Sequence, residues 1–346
     1  MTMSPAILGW DIGGVNVKVT RLEAGTGCPT LRSLCLPFEL KDDTAALIPT
    51  LTEAARAVGG APGDLHAVTM TAELSQAFRT KREGVGFVLD ALEAAFPASS
   101  FQVYTVEGRF AAPPEARARP LSVGAANWAA TARLVARSVP TCVLLDVGTT
   151  SADLIPIVNG RVVVEGHTDP ARLLSGELVY TGALRTPAEA VVAQVPLWGG
   201  SAGVSADGFA LIGDAHLWRG RLSSVDYTCP TPDGRPPTRE FAGERLARTV
   251  CADREMLDDA ALDAIAGALA DAQVRTVAAA LRRIVERWPV ITIAVVAGLG
   301  DFIADEAAST VRLHTVRLAD RLGASARTAP AAAVAWLLWY SLETGG

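Results

Sequence analysis

The same short pattern occurs twice in this chain of 346 residues. An apolar strand ends in Asp11, and Gly13 and Gly14 then turn the chain into a second strand of alternating apolar and polar residues. About one domain later, another apolar strand ends in Asp146 and is followed by Gly148 and three hydroxyl residues. Alternating strands and helices follow each copy, which is typical of an internally duplicated α/β protein.

The duplication predicts two domains. We expect the first domain to span residues 1–125 and the second to span residues 126–329. The C-terminal segment, 330–346, predicts an amphipathic helix that returns to the first domain. The Ala-rich helix that begins at Asn127 would be the other crossing element.

Each of the two turns is a candidate phosphate-binding site. Backbone N–H groups that converge in a glycine-rich turn bind phosphate oxygens without positively charged side chains. Mg²⁺ prefers one or two carboxylates together with waters and phosphates, so Asp11 and Asp146 are candidate catalytic residues that share one metal across a cleft. The alternative is a pair of glycine-rich turns with solvated aspartates. The predicted phosphate-binding residues are Gly13, Gly14, Asn16 and Lys18 in the first copy and Gly148, Thr149, Thr150 and Ser151 in the second.

A third glycine motif follows the apolar strand that ends at Ala297. Gly298 and Gly300 are predicted to bind phosphate, because nucleotide-binding turns also follow a buried strand with a Gly-x-Gly sequence. The alternative is that both glycines permit tight packing between the strand and the next helix. Only two glycines are present, so the pattern leaves ATP binding open.

The remaining candidates depend on weaker signals. Lys81 and Arg82 belong to a dense basic cluster and are predicted to reach an anionic substrate. Glu73 follows a predicted strand end, where α/β proteins often place ligands, and is a candidate catalytic residue. Each of these residues could instead have a purely structural role. The candidate acceptor-binding residues are Tyr180, Arg185 and Asp214.

Composition excludes several classes of function. The net charge of -6 gives no support to nucleic-acid binding, which needs a basic surface. The five cysteines form no C-x-x-C pair, and the segment from Met1 to Ile7 is too short for a signal peptide. Apolar runs such as Ile291 to Ala297 are too short to span a membrane. We therefore expect a cytoplasmic protein; the sequence does not predict its oligomeric state.

The three glycine motifs, in this order, resemble the first phosphate, second phosphate and adenosine motifs of a large superfamily. Its members include acetate kinase, sugar kinases, heat-shock chaperones and actin. The segments around Gly124–Trp128 and Ala331–Ala335 resemble its two connecting helices. The resemblance covers nearly the whole chain. It implies an α/β structure with a duplicated actin-like (ribonuclease H-like) two-domain fold and a central cleft.

A narrower resemblance concerns five segments. They resemble the signatures of a hydantoinase-A-related family found beside genes of tetrahydromethanopterin-linked one-carbon metabolism. Archaeal members of this family are the condensing enzyme of methanofuran biosynthesis. The segments are Gly9 to Lys18, Met70 to Leu74, Thr80 to Val85, Leu178 to Pro187 and Val250 to Asp253.

The resemblance implies a transferase with two small-molecule substrates. It would join an aminomethyl-furanmethyl diphosphate to the phenol of a γ-glutamyltyramine-like or tyrosine-derived acceptor, forming an ether and releasing diphosphate. Mg²⁺ would be the cofactor. Two alternatives stay open: an ATP-dependent kinase or hydantoinase-like ATPase of the same superfamily, and a non-catalytic nucleotide-binding assembly protein.

Overall fold

The computed structural model describes residues 6–24 and 29–343. It confirms the predicted duplicated, actin-like α/β fold, in which the chain forms two compact units. The first unit comprises Met1–Cys142, Ile155–Ala171 and Arg317–Gly346, and the second comprises Val143–Leu154 and Arg172–Val316. These units are defined by packing, and the domain boundary at residue 125 stays a prediction.

Within the described residues, the strands form two six-stranded sheets and one two-stranded sheet. Several strands in the second half have only two to four residues. The strands are β1 Ile7–Ile12, β2 Asn16–Glu23, β3 Thr30–Pro37, β4 Leu65–Met70, β5 Phe101–Tyr104, β6 Phe110–Ala111, β7 Cys142–Val147, β8 Ala152–Val158, β9 Arg161–Val162, β10 Leu178–Val179, β11 Gln194–Leu197, β12 Gly200–Gly203, β13 Ile293–Ala297 and β14 His314–Arg317.

The helices connect these strands, and short 3-10 turns occur at Thr44–Ala46, Ala72–Leu74, Ser224–Asp226 and Gly323–Thr328. The α-helices are α1 Leu47–Ala57, α2 Lys81–Ala95, α3 Pro113–Ala118, α4 Pro120–Val123, α5 Asn127–Ala136, α6 Asp169–Ser175, α7 Ala188–Val191, α8 Ile212–Trp218, α9 Arg239–Arg248, α10 Asp259–Arg287, α11 Asp301–Thr310, α12 Ala319–Leu322 and α13 Ala329–Glu343. Helix α2 begins at Lys81, because the Thr80 hydroxyl accepts a hydrogen bond from the Glu83 N–H at 3.2 Å and caps the helix.

The two large sheets repeat the same arrangement around their first strands. The first sheet has the order β3-β2-β1-β4-β5-β6, and β1 pairs antiparallel with β2 and parallel with β4. The second sheet has the order β10-β8-β7-β13-β14, with β9 paired to β8, and β7 is parallel to β13. Asp11 lies opposite Thr69 and Asp146 lies opposite Ala297. Each aspartate is therefore at the carboxyl end of a central strand with a parallel neighbour.

Helix α13 packs closely against β1 in the first unit. A Cβ atom on Gly9 would lie 2.0 Å from the Ala331 carbonyl oxygen and 2.8 Å from the Ala335 Cβ, so only glycine fits there. The segment Ala331–Ala335 is fully buried. Small residues on both elements thus allow this close approach, as the sequence predicts for a connecting helix.

Helix α10 is a core element of the second unit. Its buried side chains Leu262, Ile265 and Leu269 follow helical spacing and pack into a cluster with α8 and α9. Among the residues that the structure describes, α10 is the one helix long and apolar enough to cross a membrane by length and composition alone. Half of that apolar stretch is buried inside the protein, as in the core helices of soluble proteins.

Candidate functional site

The two aspartate–glycine turns are closed by the same hydrogen bond. In the first turn, the Gly13 N–H donates to the Asn16 carbonyl at 2.9 Å. In the second, the Gly148 N–H donates to the Ser151 carbonyl at 2.9 Å. Gly13 and Gly148 each follow their aspartate by two residues, so the repeat seen in the sequence is also a repeat of backbone geometry.

The residue after each aspartate accepts a hydrogen bond from the segment that follows the neighbouring parallel strand. The Thr71 N–H donates to the Ile12 carbonyl at 2.9 Å, and the Gly300 N–H donates to the Val147 carbonyl at 2.8 Å. Each turn is therefore fixed to the loop that leaves the parallel neighbour, β4 in the first unit and β13 in the second.

Asp11 is buried at the end of β1 and forms an ion pair. Its Oδ2 accepts a hydrogen bond from Lys18 Nζ at 3.0 Å. Its Oδ1 is also buried and has no hydrogen-bond partner among the described residues. A buried carboxylate oxygen in this state can accept a proton donor or a metal ion from a ligand that enters the site.

The predicted Mg²⁺ site is compatible with this arrangement. No group of three or more His, Cys, Asp or Glu side chains that could hold a metal occurs within residues 6–24 and 29–343. A hydrated Mg²⁺ held mainly by substrate phosphates needs no such cluster, because one or two carboxylates are sufficient. The Asp11 Oδ1 atom fits that role, and the sharing of a metal with Asp146 stays a prediction.

Glu73 lies beside the first turn, on the 3-10 turn that follows β4. A Cβ on Gly13 would lie 3.3 Å from the Thr71 hydroxyl, and a Cβ on Gly14 would lie 3.8 Å from the Ser75 Cβ, so this segment packs against the turn. The Glu73 side chain is fully buried. Burial raises its pKa to about 7, because this effect exceeds the lowering of its pKa by Lys81.

Of the two predicted basic residues, only Lys81 contacts Glu73. Lys81 Nζ lies 3.3 Å from Glu73 Oε1 and 2.7 Å from Asp169 Oδ2. Burial lowers the pKa of Lys81, but its bonds to the two carboxylates raise it by more, so the ammonium stays charged. Arg82 is exposed and donates to the Arg117 carbonyl at 3.3 Å.

The second turn is held by the segment that follows β10. The Ala183 N–H donates to the Gly148 carbonyl at 2.8 Å, and the Leu184 and Arg185 N–H groups both donate to the Thr149 carbonyl at 3.1 and 3.0 Å. Sequence reasoning missed this role, although the segment belongs to one of the recognised signatures. Tyr180 precedes these residues and is 59% exposed.

Gly298 and Gly300 lie directly against the second turn. Gly298 has a φ of +88°, and a Cβ there would lie 2.5 Å from Asp146 Oδ1. A Cβ on Gly300 would lie 2.6 Å from the Val147 Cγ1. These contacts favour the packing alternative considered above, since both glycines allow the loop to approach the turn. Phosphate binding by the two glycines stays a prediction.

Asp214 has a structural role rather than an open binding surface. Its side chain is completely buried and accepts a hydrogen bond from Arg245 Nη2 at 2.7 Å. Its other oxygen accepts from the Leu211 N–H at 2.9 Å and caps helix α8. We therefore do not retain Asp214 among the acceptor-binding residues, because both of its oxygens are occupied within the unit.

The profile of the hydantoinase/oxoprolinase family matches residues 64–340. The chain belongs to the hydantoinase/oxoprolinase family. A relative from Methanocaldococcus jannaschii is 34% identical over 343 residues, which cover 99% of this chain and 100% of that protein. It is named (4-{4-[2-(gamma-L-glutamylamino)ethyl]phenoxymethyl}furan-2-yl)methanamine synthase. A relative of the same name from Methanococcus vannielii is 37% identical over 112 residues, which cover 32% of this chain and 50% of that protein.

The fold of this hydantoinase/oxoprolinase family member is also found in a solved structure of nucleotide-free acetone carboxylase. The two share a TM-score of 0.57 at 11% identity, over 95% of this chain and 70% of the carboxylase chain. At this identity the likeness concerns the fold alone. The sequence match along the entire length of a named synthase shows that the family member described here is an enzyme of the transferase type.

Proposed function

We propose that this enzyme acts in the biosynthesis of a methanofuran-type cofactor. In this reaction, an aminomethyl-furanmethyl diphosphate is joined to the phenol of a γ-glutamyltyramine-like or tyrosine-derived acceptor. The observation that carries the proposal is the match over 99% of the chain to a synthase whose named product contains a furan joined to a phenyl ring through a methylene and an oxygen. An aryl ether of this kind is what a phenol and a furan-methyl diphosphate would form.

The reaction exchanges one carbon–oxygen bond for another. The bond between the furan methylene and the diphosphate oxygen breaks, and its electron pair leaves with the diphosphate. The phenolic oxygen forms the new bond to the methylene carbon and loses its proton. Because the furan oxygen stabilises positive charge on that carbon, the main task of the protein is to bind the leaving diphosphate and offset its charge.

Each aspartate–glycine turn is a proposed binding element for the phosphates of the diphosphate. The backbone amides of the turns, together with the Thr149, Thr150 and Ser151 hydroxyls, are suitable donors for phosphate oxygens. Mg²⁺, when bound by Asp11 and Asp146, would neutralise part of the diphosphate charge. Such a site would allow a protein whose net charge is -6 to bind an anion.

Lys81 is the proposed side-chain cation of the site. It belongs to the segment beside the first turn and is 23% exposed, so one side of its ammonium can face a ligand. Glu73 and Asp169 hold that ammonium in place. Tyr180 and Arg185 are the proposed acceptor-binding residues, because they belong to the segment that is hydrogen-bonded to the second turn.

A direct assay tests the proposal. Purified protein is incubated with Mg²⁺, the furan diphosphate and one of three phenols: γ-glutamyltyramine, tyramine or tyrosine. We expect the matching ether by mass spectrometry and one equivalent of diphosphate released per ether, without ATP. Formation of the ether only when ATP is added, or ATP hydrolysis with no ether from any phenol, would contradict the proposal and favour the ATPase alternative.

A further inference from the structure

A buried chain of hydrogen bonds in the second unit runs from His216 on α8 to the segment beside the second turn. His216 Nε2 lies 2.7 Å from Gln273 Oε1. Gln273 Nε2 donates to Thr181 Oγ1 at 2.9 Å and to the Gly182 carbonyl at 2.7 Å. Gln273 is 1% exposed, and it is the one polar residue among the buried positions of helix α10, all of which the structure describes.

Chemistry fixes the direction of each of these hydrogen bonds. A carbonyl can only accept, so the Gln273 amide nitrogen faces Gly182 and the amide oxygen faces His216. His216 must then donate from Nε2, and its Nδ1 has no hydrogen-bond partner among the described residues. Burial lowers the pKa of His216 to about 4, so the ring is neutral at pH 7 and can hold this tautomer.

Beyond Gln273, the chain of hydrogen bonds ends at two threonines, Thr181 and Thr186. Because Thr181 Oγ1 accepts from Gln273, its own proton is available to Thr186 Oγ1, which lies 3.1 Å away. Thr186 Oγ1 also accepts the Gly182 N–H at 3.3 Å. Both backbone polar groups of Gly182 are therefore bonded to this network, and the position of Gly182 is fixed from two sides.

Gly182 lies against the backbone of the second turn, so its position affects the position of the turn. A Cβ on Gly182 would lie 2.5 Å from the Thr150 nitrogen and 2.6 Å from the Thr149 carbonyl carbon, so the two backbones are in direct contact. The next residue, Ala183, donates to the Gly148 carbonyl at 2.8 Å. A shift of Gly182 away from α10 would consequently move the amides and hydroxyls of the turn.

At its other end, the chain of hydrogen bonds contacts helix α11, which begins directly after Gly300 of the third glycine motif. The His216 ring meets the Phe302 ring edge to face, with centroids 4.9 Å apart. Phe302 follows Gly300 by two residues, and the Gly300 N–H is bonded to the Val147 carbonyl at 2.8 Å. His216 and Gln273 thus connect the segment beside the second turn with helix α11.

We propose that Gln273 is a positioning residue that holds the second turn, Gly148–Ser151, in the geometry that binds diphosphate. The inference rests on the proposed function of that turn. Gln273 does not touch the substrate; it acts through Gly182, and His216 keeps its amide in the required orientation.

Hydrogen exchange and diphosphate binding together test the proposal. Gln273→Met keeps the length of the side chain and removes both donors. We expect amide exchange at Ala183, Leu184 and Arg185 to become about tenfold faster or more, and the affinity for inorganic diphosphate with Mg²⁺ to fall about tenfold. Gln273→Glu should change both quantities in the same direction, because its carboxylate can accept from His216 but cannot donate to the Gly182 carbonyl.

A matched control removes a different bond between the same two helices. Asp263 on α10 accepts a hydrogen bond from Trp218 Nε1 on α8 at 2.6 Å, and it has no link to Gly182. Asp263→Ala should leave both the exchange of the three amides and the diphosphate affinity as in the wild type. If Gln273→Met gives the same result as Asp263→Ala, Gln273 is only a packing residue and the inference is wrong.

Two further outcomes are distinguishable. If Gln273→Met does not fold, amide exchange and diphosphate affinity are measured on Gln273→Glu and Thr181→Val instead. Unchanged amide exchange in both variants would overturn the inference. If the wild-type protein itself binds no diphosphate, the proposed function of the turn fails. The exchange of Ala183, Leu184 and Arg185 then decides on its own whether Gln273 positions the segment.

Discussion

The Lys81 ammonium lies 3.3 Å from Glu73 Oε1, and it is shared with Asp169 at 2.7 Å. The Glu73 side chain has no exposed surface, whereas Lys81 is 23% exposed. Burial raises the pKa of Glu73 to about 7, and Lys81 lowers it by less. The charge of this carboxylate, and hence the strength of its hold on Lys81, therefore changes near neutral pH.

Replacing Glu73 with Gln should flatten the pH dependence of stability. The pKa of Glu73 in the folded protein lies above its ordinary value of 4.5, so the stability due to its bound proton is full below pH 4.5 and is lost as the pH rises to about 7. Across that window, we expect the free energy of unfolding of the wild type to fall relative to Glu73→Gln by a few kcal/mol. Urea unfolding of both proteins at several pH values measures the difference.

An exposed glutamate in the first turn of helix α2 provides the control for this prediction. Glu83 is exposed and accepts a hydrogen bond from the Arg79 N–H at 2.9 Å. The difference in stability between Glu73→Gln and the wild type is compared, at each pH, with the difference between Glu83→Gln and the wild type. Parallel curves for Glu73→Gln and the wild type would show that Glu73 titrates at its ordinary pKa.

Adding one methyl group to Gly182 should disable the second turn. A Cβ there would lie 2.5 Å from the Thr150 nitrogen, which backbone atoms cannot accommodate without moving. We expect Gly182→Ala to lose turnover by about tenfold or more, since a displacement of about 1 Å can cost a hundredfold in rate. Turnover in the ether-forming assay measures the loss.

Gly267 on α10 is the matched site for this comparison, because a Cβ there meets no atom within 4 Å. Gly267→Ala should keep wild-type turnover and stabilise the protein by up to about 1 kcal/mol through helix propensity. Equal turnover in the two alanine variants would show that the contact between Gly182 and the turn has no functional role.

The sequence predicts the two turns well because their geometry is local. Asp11 and Asp146 each follow an apolar strand, and the closing hydrogen bonds span only three residues, from Gly13 to Asn16 and from Gly148 to Ser151. A pattern of a few adjacent residues is sufficient to specify such a turn. The Asn159-Gly160 turn between β8 and β9 is equally local.

The rest of the site depends on contacts that are distant in sequence. Gln273 lies 92 residues from Thr181, and its helix is otherwise a regular apolar pattern, so no local signal marks it. The sequence marks Asp214 as a candidate for acceptor binding, because its partner Arg245, 31 residues away, cannot be recognised from the sequence. Such pairings are decided by tertiary packing rather than by the local pattern.

Asp214→Asn should reduce stability rather than acceptor binding. It would leave the Arg245 guanidinium buried and without its full counter-charge, and breaking a buried ion pair typically costs about 3–5 kcal/mol. We expect a large fall in the free energy of unfolding and an unchanged KM for the phenol in the folded fraction. A stable variant with a raised KM for the phenol would return Asp214 to the acceptor site.

Diphosphate should bind more tightly than ATP. Gly298 and Gly300 are both in close contact with the residues Asp146 and Val147, so the third loop is packed against the turn instead of being open for an adenosine. Calorimetry with each ligand in the presence of Mg²⁺ tests this expectation. Tight ATP binding with rapid hydrolysis would instead support an ATPase of the same family.

Asp146→Asn should lower turnover while leaving the stability of the protein nearly unchanged. The substitution keeps the shape of the side chain and removes one charge beside the proposed diphosphate site. Losing one charge contact of this kind typically costs about 2.7–4 kcal/mol in the transition state, so turnover should fall roughly a hundredfold or more. Asp146 is only partly buried, unlike Asp11, and the melting temperature should hardly change.

A structural aspartate would behave in the opposite way. If Asp146 only shaped its turn, Asp146→Asn would lower the melting temperature while the folded protein kept its specific activity. Both quantities can be measured on one purified variant, by thermal unfolding and by release of diphosphate. An active but unstable Asp146→Asn protein would remove Asp146 from the candidate catalytic residues, and the proposed Mg²⁺ site would then retain only Asp11.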